Sequence, residues 1–255
     1  MKRKSPSTIK SKLPAVIAIG ALLLLWQLVC LTGLVPGYML PSPVQVVKAF
    51  IADLPLLWEH SIITLQEAFL GLALGIAIGF LFAVLMDSFE FLYRGFYPIL
   101  VITQTVPTVA IAPLLVLWFG YDLLPKVVLV VLSTFFPMTV GLLEGFRSAD
   151  TDAIGLMRSM GAGKWQIFRY IKAPSALPQF FSALRISVAY SVVGAVISEW
   201  LGGFGGLGVY MTRVKKAFAF DKMFAVIFLI SAISLILMGF VALLERKCMP
   251  WRDKK

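Results

Sequence analysis

Long apolar runs alternate with short polar connections over the whole chain, and neither a strand-like alternation nor a soluble-helix stripe organises them. A helix crossing a bilayer needs about 20 largely apolar residues, because in hydrocarbon each backbone amide must be paired within its own segment. Six stretches meet this requirement, at approximately Leu13–Leu34, Ser61–Met86, Gly95–Phe119, Leu124–Leu143, Phe180–Leu201 and Met223–Leu244. The pattern predicts an all-α integral membrane protein with six transmembrane helices. Its divisions are a tail at 1–12, a first span at 13–34, a segment at 35–60, a core at 61–244 holding five spans and a long connection at 144–179, and a tail at 245–255.

Several connections carry local instructions. Ser42, Pro43 and Gln45 form the N-cap, first helical position and capping box of a short surface helix within 35–60. Gly71, Gly75 and Gly79 are spaced four apart, so one face of the second span is bare enough for close helix packing. Pro98, Pro107 and Pro113 each remove a backbone donor from the third span, which predicts a kinked or interrupted helix there and, at that depth, a candidate cavity lining. In the 144–179 connection, Asp150 and Asp152 open a helical run that Gly161 closes, and a second run from Lys164 to Ile171 is expected to stop before Pro174. Trp165, Phe168 and Ile171 recur every three residues on one face of that run. Such a helix pair suits either an interfacial helix on anionic lipid or a docking element for a cytoplasmic protein.

Composition supports the membrane assignment. Of 255 residues, 60% are hydrophobic and 14% charged, with a mean hydropathy of +0.91, far from the mix of a soluble domain. The 23 basic residues exceed the 13 acidic ones, but long uncharged runs do not make the basic face that a nucleic-acid reader needs. The excess instead reports topology. Sixteen Lys and Arg fall on the side of the two tails and six on the other, which places both termini in the cytoplasm and 35–60 outside. Lys2, Arg3 and Lys4 precede an apolar run longer than a signal-peptide core, so an uncleaved anchor is expected.

Candidate chemistry is sparse. One histidine, His60, and two distant cysteines, Cys30 and Cys248, leave no metal cluster and no disulfide framework. Gly163-Lys164 resembles the end of a phosphate loop, yet Arg158 stands where its first glycine belongs and Trp165 where Ser or Thr would hold magnesium. No catalytic residue is therefore assigned, and the chain is not expected to hydrolyse ATP alone. Ionisable groups within spans are costly enough to suggest function. Glu67, Arg185 and Glu199 are three, with Arg185 expected to snorkel to the cytoplasmic surface. Glu199 precedes the glycine-rich run Gly202–Gly208, where the fifth span should break. Glu67, Glu199 and Gly205 are thus candidates for the translocation path or gate.

The 144–179 connection resembles the EAA loop of permease subunits from bacterial ABC importers. Gly161 is followed by nine residues and then by Ile171-Lys172-Ala173-Pro174, while Gly155-Leu156-Met157 replaces Glu-Ala-Ala. Gln104-Thr105-Val106-Pro107, Ala112-Pro113-Leu114, Trp118-Phe119-Gly120 and Phe135-Phe136-Pro137 are similar to the nitrate, sulfonate, taurine and thiamine-precursor group. The run Gly194–Gly202 looks nearest to the branch importing pyrimidine precursors of thiamine. The resemblance implies a type I importer permease fold, a second permease copy, two cytoplasmic ATP-binding subunits that use ATP and Mg, an extracytoplasmic solute-binding protein, and a bacterial cell membrane. It also implies that Arg158, Met160, Gly161, Ala162, Lys164, Trp165, Ile171 and Pro174 couple to the ATPase, and it adds Gln104 and Pro107 to the candidate path. An ion-gradient-driven transporter or channel is the alternative, disfavoured by the lack of an internal repeat.

Overall fold

The computed structural model describes residues 8–33, 35–37 and 39–250. The tail charges at Lys2, Arg3, Lys4, Arg252, Lys254 and Lys255 lie outside the described residues. All elements among those described are helical: α1 (Thr8–Leu31), α2 (Pro43–Ala52), α3 (Leu54–Ser88), α4 (Glu90–Thr103), α5 (Thr108–Phe119), α6 (Leu123–Arg147), α7 (Thr151–Ser159), α8 (Lys164–Ile167), a π-helical turn (Phe168–Lys172), α9 (Ala173–Leu201), α10 (Leu207–Lys216) and α11 (Phe220–Cys248).

Four helical stretches are long and apolar enough to cross a bilayer: Leu54–Ser88, Leu123–Arg147, Lys164–Leu201 and Phe220–Cys248. The pair α4 and α5 makes a fifth if it is taken as one broken span, bent by 96°. Among the described residues four or five of the expected six spans are therefore found, and the described apolar part of α1, Val16–Leu31, is shorter than a full span. The expected interruption of the third span is present. Pro107, with extended backbone, is the N-cap of α5, whereas Pro98 and Pro113 are carried inside helices.

The chain forms two compact units, Met1–Leu57 with Met211–Phe228, and Trp58–Tyr210 with Leu229–Lys255. In the first unit, α2 begins with the expected capping box. Ser42 Oγ accepts from the Gln45 N–H at 3.3 Å, and Gln45 Oε1 accepts from the Ser42 N–H at 2.8 Å. Trp26 packs on Phe224 and Phe228, each with ring centroids 5.8 Å apart, and Lys222 pairs with Asp53 at 2.8 Å. The segment expected at 35–60 is shorter than predicted, since α3 already starts at Leu54.

The second unit is built on α3, α6 and α9. Gly71, Gly75 and Gly79 of α3 face Val130, Thr134 and Met138 of α6, so two four-residue ridges run against each other. A Cβ at Gly79 would sit 3.0 Å from the Met138 Cβ and 3.2 Å from the Phe135 carbonyl, tight enough that α6 would have to give by a few tenths of an ångström. Between α6 and α9, Gly141 faces Ala183 and Gly145 faces Ala176 in antiparallel order. A cluster of Ala83, Met86, Leu100, Met138, Leu142, Leu143, Phe146, Ala176 and Ala183 fills this contact.

The 144–179 connection is shorter than expected. The helix before it runs to Arg147 and the next starts at Lys164, after which α8, the π turn and α9 form one continuous 38-residue stretch. The predicted stop before Pro174 does not occur. Pro174 has no N–H for the carbonyl four residues earlier and would clash with it in a regular helix. The π turn moves the pairing by one residue, with the Ala173 N–H donating to the Phe168 carbonyl, and lets the helix pass.

Candidate functional site

Three features in the second unit bear on function: a buried polar network, a pair of cavities, and the turn between α7 and α8.

The network starts on one face of α3. His60, Thr64 and Glu67 follow at helical spacing ahead of the glycine stripe, and all three are buried. Glu67 pairs with Lys126 at 2.5 Å, itself buried in the first turns of α6. Lys126 is one of the six basic residues that the charge count sets opposite the tails, and here it is held in a buried ion pair within α6. Glu199, beside Glu67, is buried at the end of α9. Its Oε1 accepts from the Thr64 hydroxyl at 2.7 Å, and its Oε2 from the Gly208 N–H at 2.6 Å. Thr64 Oγ1 accepts from the Leu207 N–H at 2.8 Å, and His60 Nδ1 from the Gly206 N–H at 2.9 Å.

The first N–H groups of a helix have no partner within it. Here three side chains from α3 and α9 take those of Gly206, Leu207 and Gly208 at the start of α10. The expected break of the fifth span is therefore real, with α9 ending at Leu201. Its glycines serve close approach rather than looseness. Gly206 has φ +113°, and a Cβ there would run into the Glu199 carboxylate. Gly205 lies against Ile63 and His60.

The two cavities meet at Phe136 and Pro137, and the larger one adjoins the α4–α5 break. The larger, about 630 Å³, is lined by Gln104, Val106 and Thr108 from the break, Ser133 and Phe136 from α6, and Tyr190 from α9, among others. The smaller, about 440 Å³, shares Phe136 and Pro137 with it and includes Glu144 and Gln179. Gln104 is thus on a cavity wall, and Pro107 lies between two lining residues. Glu67, Glu199 and Gly205 line neither of these two cavities. Ser133, Tyr190 and Gln179 escaped the sequence reading, because hydroxyls and amides within apolar runs carry no charge to flag them.

At the third feature, Asp150 caps α7 by accepting from the Asp152 N–H at 2.9 Å, and Met160 closes the helix. Gly161 turns the chain with φ +82°, and the Ala162 N–H donates to the Met157 carbonyl at 2.9 Å. Gln166 Oε1 then accepts from the Gly163 N–H at 2.7 Å at the start of α8, which Lys164 opens. Met160 and Trp165 are 78% and 67% exposed, while Ile167 is buried. The predicted face of Trp165, Phe168 and Ile171 is only half realised. Phe168 packs against Phe146 and stacks on Trp165, but Ile167 is the buried residue of this segment. Lys172 ties this segment to Asp87 at 2.8 Å. Arg158 lies in the last turn of α7, and Pro174 in the first of α9. Arg185 is half-buried. It pairs with Glu245, which belongs to α11 rather than to the tail.

Residues 75–249 match the family model of the binding-protein-dependent transport system inner membrane component. The chain belongs to this family. It is 43% identical over 222 residues to the formylaminopyrimidine transport permease protein ThiX of Halalkalibacterium halodurans, covering 86% of this chain and 88% of that one. It is 34% identical to the riboflavin transport system permease protein RibX of Chloroflexus aurantiacus, covering 92% and 88%. The crystal structure of an amino acid ABC transporter with histidines superposes with a TM-score of 0.62 over 78% of this chain and 97% of that one, at 19% identity, which shows a shared fold. The chain is a permease subunit of an ABC importer, with the type I fold that the sequence resemblance implied. The ion-gradient alternative accordingly falls away.

Proposed function

We propose that this permease pairs with a second copy of itself to form a path for a small solute delivered by an extracytoplasmic binding protein. The solute is either a pyrimidine precursor of thiamine or a nitrate- or sulfonate-like anion, the chemistries named for related permeases. Two cytoplasmic ATP-binding subunits supply the energy and hold ATP and Mg. The α7–α8 turn docks on them through Met160 and Trp165, with Arg158, Gly161, Ala162, Lys164, Ile171 and Pro174 shaping the contact. Both termini face the cytoplasm of a bacterial cell.

The observation that carries this reading is the join between the exposed apolar turn and the span behind it. From Lys164 to Leu201 the helix is unbroken, roughly 57 Å at 1.5 Å per residue. A displacement of the turn by ATPase closure would therefore reach the far end of α9 as a rigid movement, biasing the equilibrium between inward- and outward-open states.

Replacing the exposed Trp165 by Glu tests it. The variant should insert normally but lose co-purification of the ATPase and at least about tenfold of ATP-driven uptake, the scale of a lost interface anchor. Full uptake in Trp165→Glu would remove the docking role from this turn.

A further inference from the structure

The cavity chemistry discriminates between the two solute classes, on the reading that this chain is the solute path. Thr103 donates its hydroxyl proton to the Leu100 carbonyl at 2.8 Å, and Ser133 donates its own to the Leu129 carbonyl at 2.9 Å. With those protons committed to their own helices, both oxygens are left to act as acceptors. Pro137, also on the wall, has no N–H for the Ser133 carbonyl four residues before it, which frees one more acceptor. Among the described residues, none pairs with the Gln104 side-chain amide. Phe135, Phe136 and Tyr190 add flat aromatic surface.

No charged side chain is on the wall of the larger cavity among the described residues. The smaller cavity, beyond Phe136 and Pro137, carries the Glu144 carboxylate and the buried Gln179 Oε1, which has no hydrogen-bond partner among the described residues. Along both cavities acceptors accumulate, one of them anionic, with no cation to meet a negative solute. An oxyanion, itself acceptor-only, would leave these oxygens unpaired and face Glu144, and unpaired buried acceptors are costly. A flat uncharged ring bearing N–H groups would satisfy them and stack on the aromatic wall. A volume of 630 Å³ suits a solute of that size.

We infer that the cavity at the α4–α5 break, with the smaller one that joins it at Phe136 and Pro137, forms a solute site selective for uncharged, N–H-donating heteroaromatic compounds over oxyanions. Thr103, Ser133 and Gln104 set that selectivity.

The full-length permease in lipid nanodiscs, probed by saturation-transfer NMR with 4-aminopyrimidine, provides the test. The expected result is binding that neither nitrate nor methanesulfonate displaces, and that weakens about fivefold or more in a Thr103→Val/Ser133→Ala double variant, as for loss of one or more net hydrogen bonds. A Gln104→Arg variant should lose the aminopyrimidine and gain methanesulfonate. Displacement by either anion in the wild type, equal binding in the double variant, or no binding of 4-aminopyrimidine would overturn the inference. ATPase co-purification by each variant checks folding and assembly. ATP-coupled uptake of an anion would sink this inference alone, whereas a wild-type complex with no ATP-coupled uptake of any solute would sink the permease reading beneath it.

Discussion

Glu67 and Glu199 are neighbouring carboxylates buried in the same membrane protein, and they reach stability by different routes. Glu67 relies on one cation, Lys126, at 2.5 Å. Glu199 relies on a hydroxyl and a backbone N–H, so it is held by dipoles that the fold places around it. Removing one member of a buried ion pair leaves a charge without compensation, whereas removing both is close to neutral. Lys126→Met should therefore destabilise the purified permease by about 3 kcal/mol, read as a lower unfolding midpoint in detergent, and Glu67→Leu/Lys126→Met should recover most of it. A double variant less stable than Lys126→Met would show that the pair does more than balance charge. The sequence made Glu67 and Glu199 conspicuous because ionisable groups are rare in spans. It hid the role of Lys126, which sits at the start of the predicted fourth span and reads there as an end-of-span charge, and it hid the partner of Arg185, since Glu245 lies sixty positions away and no local pattern links them.

Among the helices, α3 and α6 interlock through small residues. Gly75 meets the Thr134 hydroxyl so closely that a methyl group would collide with it. Gly75→Ala should destabilise the unit by about 1–3 kcal/mol, the usual range for overpacking. Thr134→Ala added to it should restore part of the loss by removing the obstructing oxygen. Thermal unfolding of the two variants checks this, and additive destabilisation would contradict it. The glycine spacing and the break at Pro107 were legible because both are local: the one exposes a bare stripe, the other removes a donor. The continuous passage through Pro174 was not. A proline ordinarily ends a helix, and only the change of pairing at Phe168–Lys172 allows it to continue. Burial in the same segment falls on Ile167, where simple three-residue spacing pointed to Ile171.

For the whole molecule, the distribution of basic residues predicts both termini in the cytoplasm. In a Cys30→Ser background, a membrane-impermeant maleimide added to intact cells should label Ser42→Cys within minutes and reach the exposed Cys248 only after permeabilisation. The reverse pattern would invert the topology and move the α7–α8 turn to the wrong side for an ATPase. The family and its fold were recognisable from the Gly161 spacing and the aromatic and proline runs of the third and fourth spans. The number of spans was less so, because apolar length alone does not tell a full crossing from a shorter helix such as Val16–Leu31.

The π turn at Phe168–Lys172 also sets an angular phase. Each residue of a helix advances the side chains by about 100°, so the direction in which Met160 and Trp165 point, relative to the lining face of α9, depends on the number of residues between them. The π turn takes up one residue beyond the regular repeat, so deleting a residue within Phe168–Lys172 would keep that phase but return the pairing to regular helix, where Pro174 clashes with the carbonyl four residues before it. The helix would then kink or break between Trp165 and the span, and the docking turn would lose the rigid join behind it. The shortest possible deletion in this segment is therefore more damaging to coupling than a replacement that keeps the π turn, and insertions or deletions mark the boundary of what this connection can accept.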